Sequence, residues 1–240
     1  MLDWGFDDQE GMIMDIKLNY IEKGEGKPLI MIHGNEESCD YFKGQFDYFA
    51  SKGFRCIAPD SRAHGATPRG TMPLTIRQMT EDIIGFMDEL GIDKADFIGF
   101  SDGGNIMLIM AMKYPERIGK MVVDGANLDL SGVADWAVDW VMGVYNEAAA
   151  KADTDPAAKL KMEIFGLMVN DPNIHAEDLT RINVPTLVMA GEEDLILKEH
   201  TELIASKIPG AKLAFCKGDH FCARENPDEF NAVVGPFLVD

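Results

Sequence analysis

Six consecutive residues, Gly99-Phe100-Ser101-Asp102-Gly103-Gly104, have the types and spacing of a nucleophile site. An apolar run that reads as a strand precedes them and a helical pattern follows. That strand–turn–helix context is what a G-x-S-x-G elbow requires. The serine of such an elbow sits in a strained backbone conformation. Only small residues two before and two after it let strand and helix pass closely. Its hydroxyl then lies beside a helix N-terminus, which favours developing negative charge. A frame centred on Asp102 would want a small residue at 100, and Phe100 stands there. Ester or amide chemistry at Ser101 is therefore expected.

A serine needs a base, and the base needs a carboxylate to hold its tautomer. On elbows of this kind the chain order is Ser, acid, His. His220 alone among the five histidines follows a late strand in a loop, within Lys217-Gly218-Asp219-His220-Phe221. His33, His64, His175 and His200 read as structural. The strand Pro185–Ala190 runs into Gly191-Glu192-Glu193-Asp194, which makes Asp194 the expected acid. Asp124, directly after the Ile118–Val123 strand, is the rival. An oxyanion hole needs two backbone donors. Asp102 supplies one, and the loop His33-Gly34-Asn35-Glu36 the other, through Asn35 with Glu36 as the alternative.

The elements that must position these residues follow from periodicity. Ile13–Tyr20 alternates as a half-buried strand does. Pro28–Ile32, Phe54–Ala58, Ala95–Gly99, Ile118–Val123, Pro185–Ala190 and Ala211–Cys216 are short apolar runs. Helical patterns separate them at Asp40–Ser51, Leu74–Leu90, Asn105–Tyr114, Glu199–Lys207 and Asn226–Leu238, with Gly91 as a stop. Such alternation predicts a mostly parallel sheet with helices on both faces. From about 127 to 181 there is no strand, only two or three helical patterns. That stretch reads as a small helical cap over the crevice, dividing the core into 1–126 and 182–240. Its Trp136, Trp140, Met142, Met162, Phe165 and Met168 are candidates to line an acyl pocket, or simply to pack the cap.

Composition bounds the partners. The chain has 240 residues, 46% hydrophobic and 26% charged, which places it among globular proteins. Its net charge of −19 argues against nucleic acid and anionic membrane surfaces. No run approaches the roughly 18 apolar residues of a membrane helix, and the acidic first residues do not read as a secretory signal. A cytoplasmic protein is expected. Cys39, Cys56, Cys216 and Cys222 are too scattered for a disulfide scaffold or a metal site, and a Cys216–Cys222 bridge is left open. Oligomeric state is open too, a homodimer being one option.

Taken together, His33-Gly34, Ala58-Pro59-Asp60-Ser61-Arg62-Ala63-His64-Gly65, the Ser101 elbow, Gly191–Asp194 and Gly218–His220 resemble the α/β-hydrolase superfamily over nearly the whole chain. The elbow with Lys113-Tyr114-Pro115 and Gly125-Ala126-Asn127 is similar to the biphenyl-hydrolase-like branch. The shorter Met-rich insertion and the His-Gly-Asn-Glu loop depart from it. The resemblance implies an eight-stranded α/β-hydrolase fold and no cofactor. It also implies that Asp102 pairs with a substrate ammonium, where the bland alternative is stabilisation of the helix dipole. Arg62 and His64 are expected to organise a loop. The expected partner is a small-molecule acyl substrate and the expected reaction serine hydrolysis of a small ester. Competing readings are carbon–carbon hydrolysis of β-diketone-like compounds, acyl transfer or perhydrolysis, and a non-catalytic receptor. Glu36, Glu37, Asp102, Asp124, Glu192, Glu193 and Asp219 are all expected around the crevice, favouring cationic substrates.

Overall fold

The computed structural model describes residues 14–239. In chain order the elements are β1 (Tyr20–Lys23), β2 (Lys27–Ile32), α1 (Lys43–Ser51), β3 (Phe54–Pro59), α2 (Ile76–Glu89), β4 (Ala95–Phe100), α3 (Asp102–Lys113) and β5 (Ile118–Asp124). They continue with α4 (Asp135–Ala149), α5 (Pro156–Asn170), β6 (Thr186–Gly191), α6 (Lys198–Lys207), β7 (Lys212–Cys216), α7 (Cys222–Glu225) and α8 (Pro227–Val239).

The strands form one sheet in the order β1-β3-β2-β4-β5-β6-β7. β1 is antiparallel to β3 and every other pairing is parallel. Successive residues of the inner strands face opposite sides. Ile30, Ile32, Phe97 and Val123 join α2 and α3 in one core cluster. Leu29, Met31, Ile98 and Val122 join α1 and α8 in the other. Both faces of the sheet are thus covered, which explains why these strands read as unbroken apolar runs.

The described residues hold seven strands where eight were expected. Eight is the count the resemblance implied; the sequence patterns themselves mark seven segments, and the first of them, Ile13–Tyr20, is displaced, because the strand runs over Tyr20–Lys23 instead. Ile13 lies outside the described residues. Ile16 and Leu18 are buried in the core, but residues 14–19 pair with no strand. Their backbone is met by a loop instead: Asn19 N–H donates to Thr67 Oγ1 at 2.8 Å, and Asn19 O accepts from Asp60 N–H at 2.8 Å. Alternation reported burial correctly and pairing wrongly.

The helices begin and end for local reasons. Thr75 Oγ1 caps α2 by accepting from Gln78 N–H at 3.1 Å, and Gly91, at φ +65°, turns the chain after it. The loop after β3 is organised by Arg62, which is fully buried. It reaches both carboxylate oxygens of Asp82 at 2.7 Å and Asp15 at 2.8 Å. Between β5 and β6 the chain forms α4 and α5, with short 3₁₀ turns at Leu130–Gly132 and Ala176–Arg181. One isolated bridge, Val133 to Ile196, ties this insertion to the loop after β6.

Candidate active site

Because β2, β4, β5, β6 and β7 run parallel, the loops after their carboxyl ends meet on one edge of the sheet. The order reverses at β2 and β4: β3 lies on one side of β2 and β4 on the other. Ligand crevices of open α/β sheets lie at such a point.

Ser101 stands there between β4 and α3, at φ +53° and ψ −115°. Strain of this kind persists only where the surroundings enforce it. Here they do. A Cβ on Gly99 would lie 2.3 Å from Gly103 O, and one on Gly103 would lie 2.1 Å from Ile32 O. One on Gly34 would lie 2.9 Å from Ser101 Cβ. The elbow, its helix and the loop after β2 therefore close on one another with no room for side chains. Ser101 N–H donates to Asp124 O at 2.8 Å, fixing the turn to β5.

His220 follows β7 in a loop flanked by Cys216 and Cys222, which form a disulfide with Cα atoms 6.6 Å apart. Backbone bonds from Glu192 N–H to Cys216 O and from Glu193 N–H to Gly218 O join this loop to the one after β6. The imidazole packs against Phe100 at 4.8 Å between centroids. Its Nε2 lies 3.2 Å from Ser101 Oγ, and its Nδ1 lies 2.7 Å from Asp194 Oδ1. Asp194 is held in turn. Its Oδ1 also accepts from Ile196 N–H at 2.8 Å, and Oδ2 from Gly191 N–H at 3.1 Å. An acceptor-only carboxylate beside Nδ1 places the ring proton there and leaves Nε2 to accept from the serine.

The rival Asp124 makes no bond to His220. Its carboxyl is buried, and its Oδ2 has no hydrogen-bond partner. Burial, with the nearby Asp194 charge, raises its pKa well above the ordinary carboxylate range. Asp102 is also buried. Burial is the main cause that pushes it up to about 6, Asp171 adds to the rise, and Asn35 and His220 oppose it. Asn35 Nδ2 donates to Asp102 Oδ2 at 2.9 Å and to Ile164 O, in α5, at 3.0 Å.

One contributor to the site was read in the sequence only as structural. His33 Nε2 accepts from Ser61 N–H at 2.9 Å, so Nδ1 carries the proton and donates it to Gly34 O at 2.7 Å. Burial, reinforced by His64, lowers the His33 pKa to about 4 and keeps the ring neutral. Gly34 O also accepts from Glu37 N–H at 3.3 Å. The Gly34–Asn35 peptide is thereby fixed, and in a trans peptide the Asn35 N–H points opposite to that carbonyl. The His33-Gly34 pair at the end of an apolar run was the available signal; Ser61, its partner, comes within reach only through folding.

A cavity of about 490 Å³ opens over Ser101 and His220. Asn35, Glu36, Asp102, Trp136, Trp140 and Met168 contribute to its wall, and no Lys or Arg does. Met142, Met162 and Phe165 do not reach it; Phe165 is buried, edge-on to Trp140 at 5.6 Å. Of the seven acids expected around the crevice, Glu36, Glu37 and Asp102 line it. Asp124, Glu192, Glu193 and Asp219 do not. Glu37 is paired with Arg224 at 2.6 Å.

Residues 27–168 match the family model described as alpha/beta hydrolase fold. The chain belongs to the α/β-hydrolase fold family. This α/β-hydrolase is 29% identical to a putative non-heme haloperoxidase of Mycobacterium phage D29, over 90% of this chain and 89% of that protein. It is 28% identical to human serine hydrolase BPHL, over 93% of this chain and 83% of that protein. Relatives so differently named match equally well, so the similarity supports the superfamily and distinguishes no branch. A hydrolase structure from Pseudomonas aeruginosa PA01 superposes with a TM-score of 0.77 at 25% identity, covering 93% of this chain and 94% of that one. The α/β-hydrolase is an enzyme of general serine-hydrolase type, acting on small acyl or ester-like compounds. No helix among its described residues is long and apolar enough to cross a membrane.

Proposed function

We propose that the enzyme hydrolyses small carboxylic esters through an acyl-enzyme on Ser101. The observation that carries this is the bond chain from Asp194 Oδ1 through His220 to Ser101 Oγ, at 2.7 and 3.2 Å, beneath an apolar cavity. In this reading Ser101 Oγ attacks the ester carbonyl while His220 Nε2 takes its proton. Asp194 holds the Nδ1 tautomer and stabilises the imidazolium that forms. The tetrahedral oxyanion is met by the backbone N–H groups of Asp102, first in α3 and without an intrahelical acceptor, and of Asn35. His220 then protonates the leaving alcohol. Water, deprotonated by the same nitrogen, attacks the acyl-enzyme and returns Ser101. Residues 127–181 act as a cap on a core of residues 1–126 and 182–240, and Trp136 and Trp140 contact the substrate.

Charge supports a substrate that is neutral or cationic. Acids line the cavity and no cation does, so an anionic group would enter without a counter-charge. Asp102, ionised above about pH 6, would accept an ammonium near the scissile carbonyl. Turnover of 4-nitrophenyl butyrate tests the chemistry. Ser101→Ala should lower kcat by roughly a thousandfold or more. Undiminished turnover in that variant would remove the reading.

A further inference from the structure

Trp136 and Trp140 are 65% and 53% exposed, yet both line the cavity that reaches Ser101. They are four residues apart and so lie on one face of α4. Tryptophan is usually well buried, and an exposed apolar patch continuous with a pocket marks the place of an occupant. Val133, Val141, Met168 and Ile196 line the same cavity, together with His220. Besides Ser101 and His220, its polar lining is limited to Asn35, Glu36, Glu37, Asp102 and Asn127. A two-carbon acyl group at Ser101 would leave most of the 490 Å³ and both tryptophan rings in water.

We propose that the substrate carries an apolar limb of about eight carbons, or a ring system of that size, running along α4 from Ser101 to Trp136 and Trp140. The two tryptophans set the preference for it. This rests on the esterase reading and narrows its substrate class. Each methylene moved from water onto that wall strengthens binding in ground and transition states alike, so the gain appears in kcat/KM.

The test compares 4-nitrophenyl acetate with 4-nitrophenyl octanoate, and ethyl acetate with octyl acetate in case the limb is the alcohol. The enzyme should prefer the long member in at least one series by about tenfold or more in kcat/KM. Trp136→Ala and Trp140→Ala should each cut that ratio by about threefold or more. Trp140 also packs on Phe165, so a melting curve accompanies its variant. Trp136, whose ring is mostly in solvent already, provides the variant with least risk to folding. Leu213→Ala, at an exposed apolar residue of β7 outside the cavity, should keep the parent ratio. The proposal is overturned if the short ester is preferred in both series, or if both tryptophan variants keep the parent ratio. A preference seen only above the concentration at which the long ester aggregates would overturn it as well, pointing to surface adsorption. In each of those outcomes Ser101-dependent hydrolysis persists and the esterase reading survives. Absence of Ser101-dependent turnover on every ester would remove both.

Discussion

Asp102 carries a stability cost that can be measured. Its pKa rises from an ordinary 3.8 to about 6 on folding, mainly through burial. Between those values the folded protein holds a proton that the unfolded chain has released. Stability therefore falls as pH rises through that window, and the penalty is complete above about 6. Asp102→Asn, which keeps an acceptor for Asn35, should stabilise the enzyme by on the order of 2–3 kcal/mol at about pH 7.5 and by close to nothing at about pH 4. Urea denaturation at the two pH values checks this; equal changes at both would contradict it. The same variant should lose any preference for esters bearing an ammonium. Ser101, His220 and Asp194 were legible because each sits at the carboxyl end of a recognisable strand in a fixed order. The work of His33 was not, since it depends on Ser61 and on the Gly34 carbonyl, which only the fold brings together.

The elbow is an element-scale device, and its tightness is testable by adding one methyl group. Gly103→Ala would set a Cβ 2.1 Å from the backbone oxygen of Ile32, which cannot swing aside. A loss of about 3 kcal/mol is expected, or failure to fold. Gly143, in the middle of α4, has no neighbour within 4 Å of its would-be Cβ. Gly143→Ala should gain about 0.5–1 kcal/mol from helix propensity alone. Chemical denaturation of the pair separates steric closure of the elbow from the general behaviour of helix glycines; similar effects at both sites would contradict the account. The helices other than the one-turn α7 and six of the strands were readable from periodicity, because a doubly covered parallel sheet writes its strands as apolar runs. Residues 14–19 misled for the converse reason. Ile16 and Leu18 are buried as in a strand, but residues 14–19 pair with no strand, and the backbone of Asn19 bonds to Asp60 and Thr67 instead.

At the scale of the whole molecule, the net charge of −19 bears on which substrates approach. Glu36 and Asp102 remain unpaired by any cation at the cavity, whereas Glu37 is offset by Arg224. A modest preference for cationic over neutral esters is expected at low salt. It should shrink as ionic strength rises from about 0.01 M to about 0.15 M, where the screening length falls from about 30 to about 8 Å. Steady-state kcat/KM for matched neutral and trimethylammonium esters measures it, and a ratio independent of salt would contradict steering by the protein's field. The sequence showed this charge but not its placement, since only three of the seven acids near the motifs line the cavity.

The central claim is that Ser101 carries the acyl group between the two halves of the reaction. Acid quench of the enzyme during turnover of a 4-nitrophenyl ester, followed by mass analysis of the peptide containing Ser101, tests it most directly. The account predicts the acyl mass on Ser101, its appearance coinciding with a burst of 4-nitrophenol, and its absence in Ser101→Ala. Turnover with no adduct on Ser101, undiminished in that variant, would contradict it.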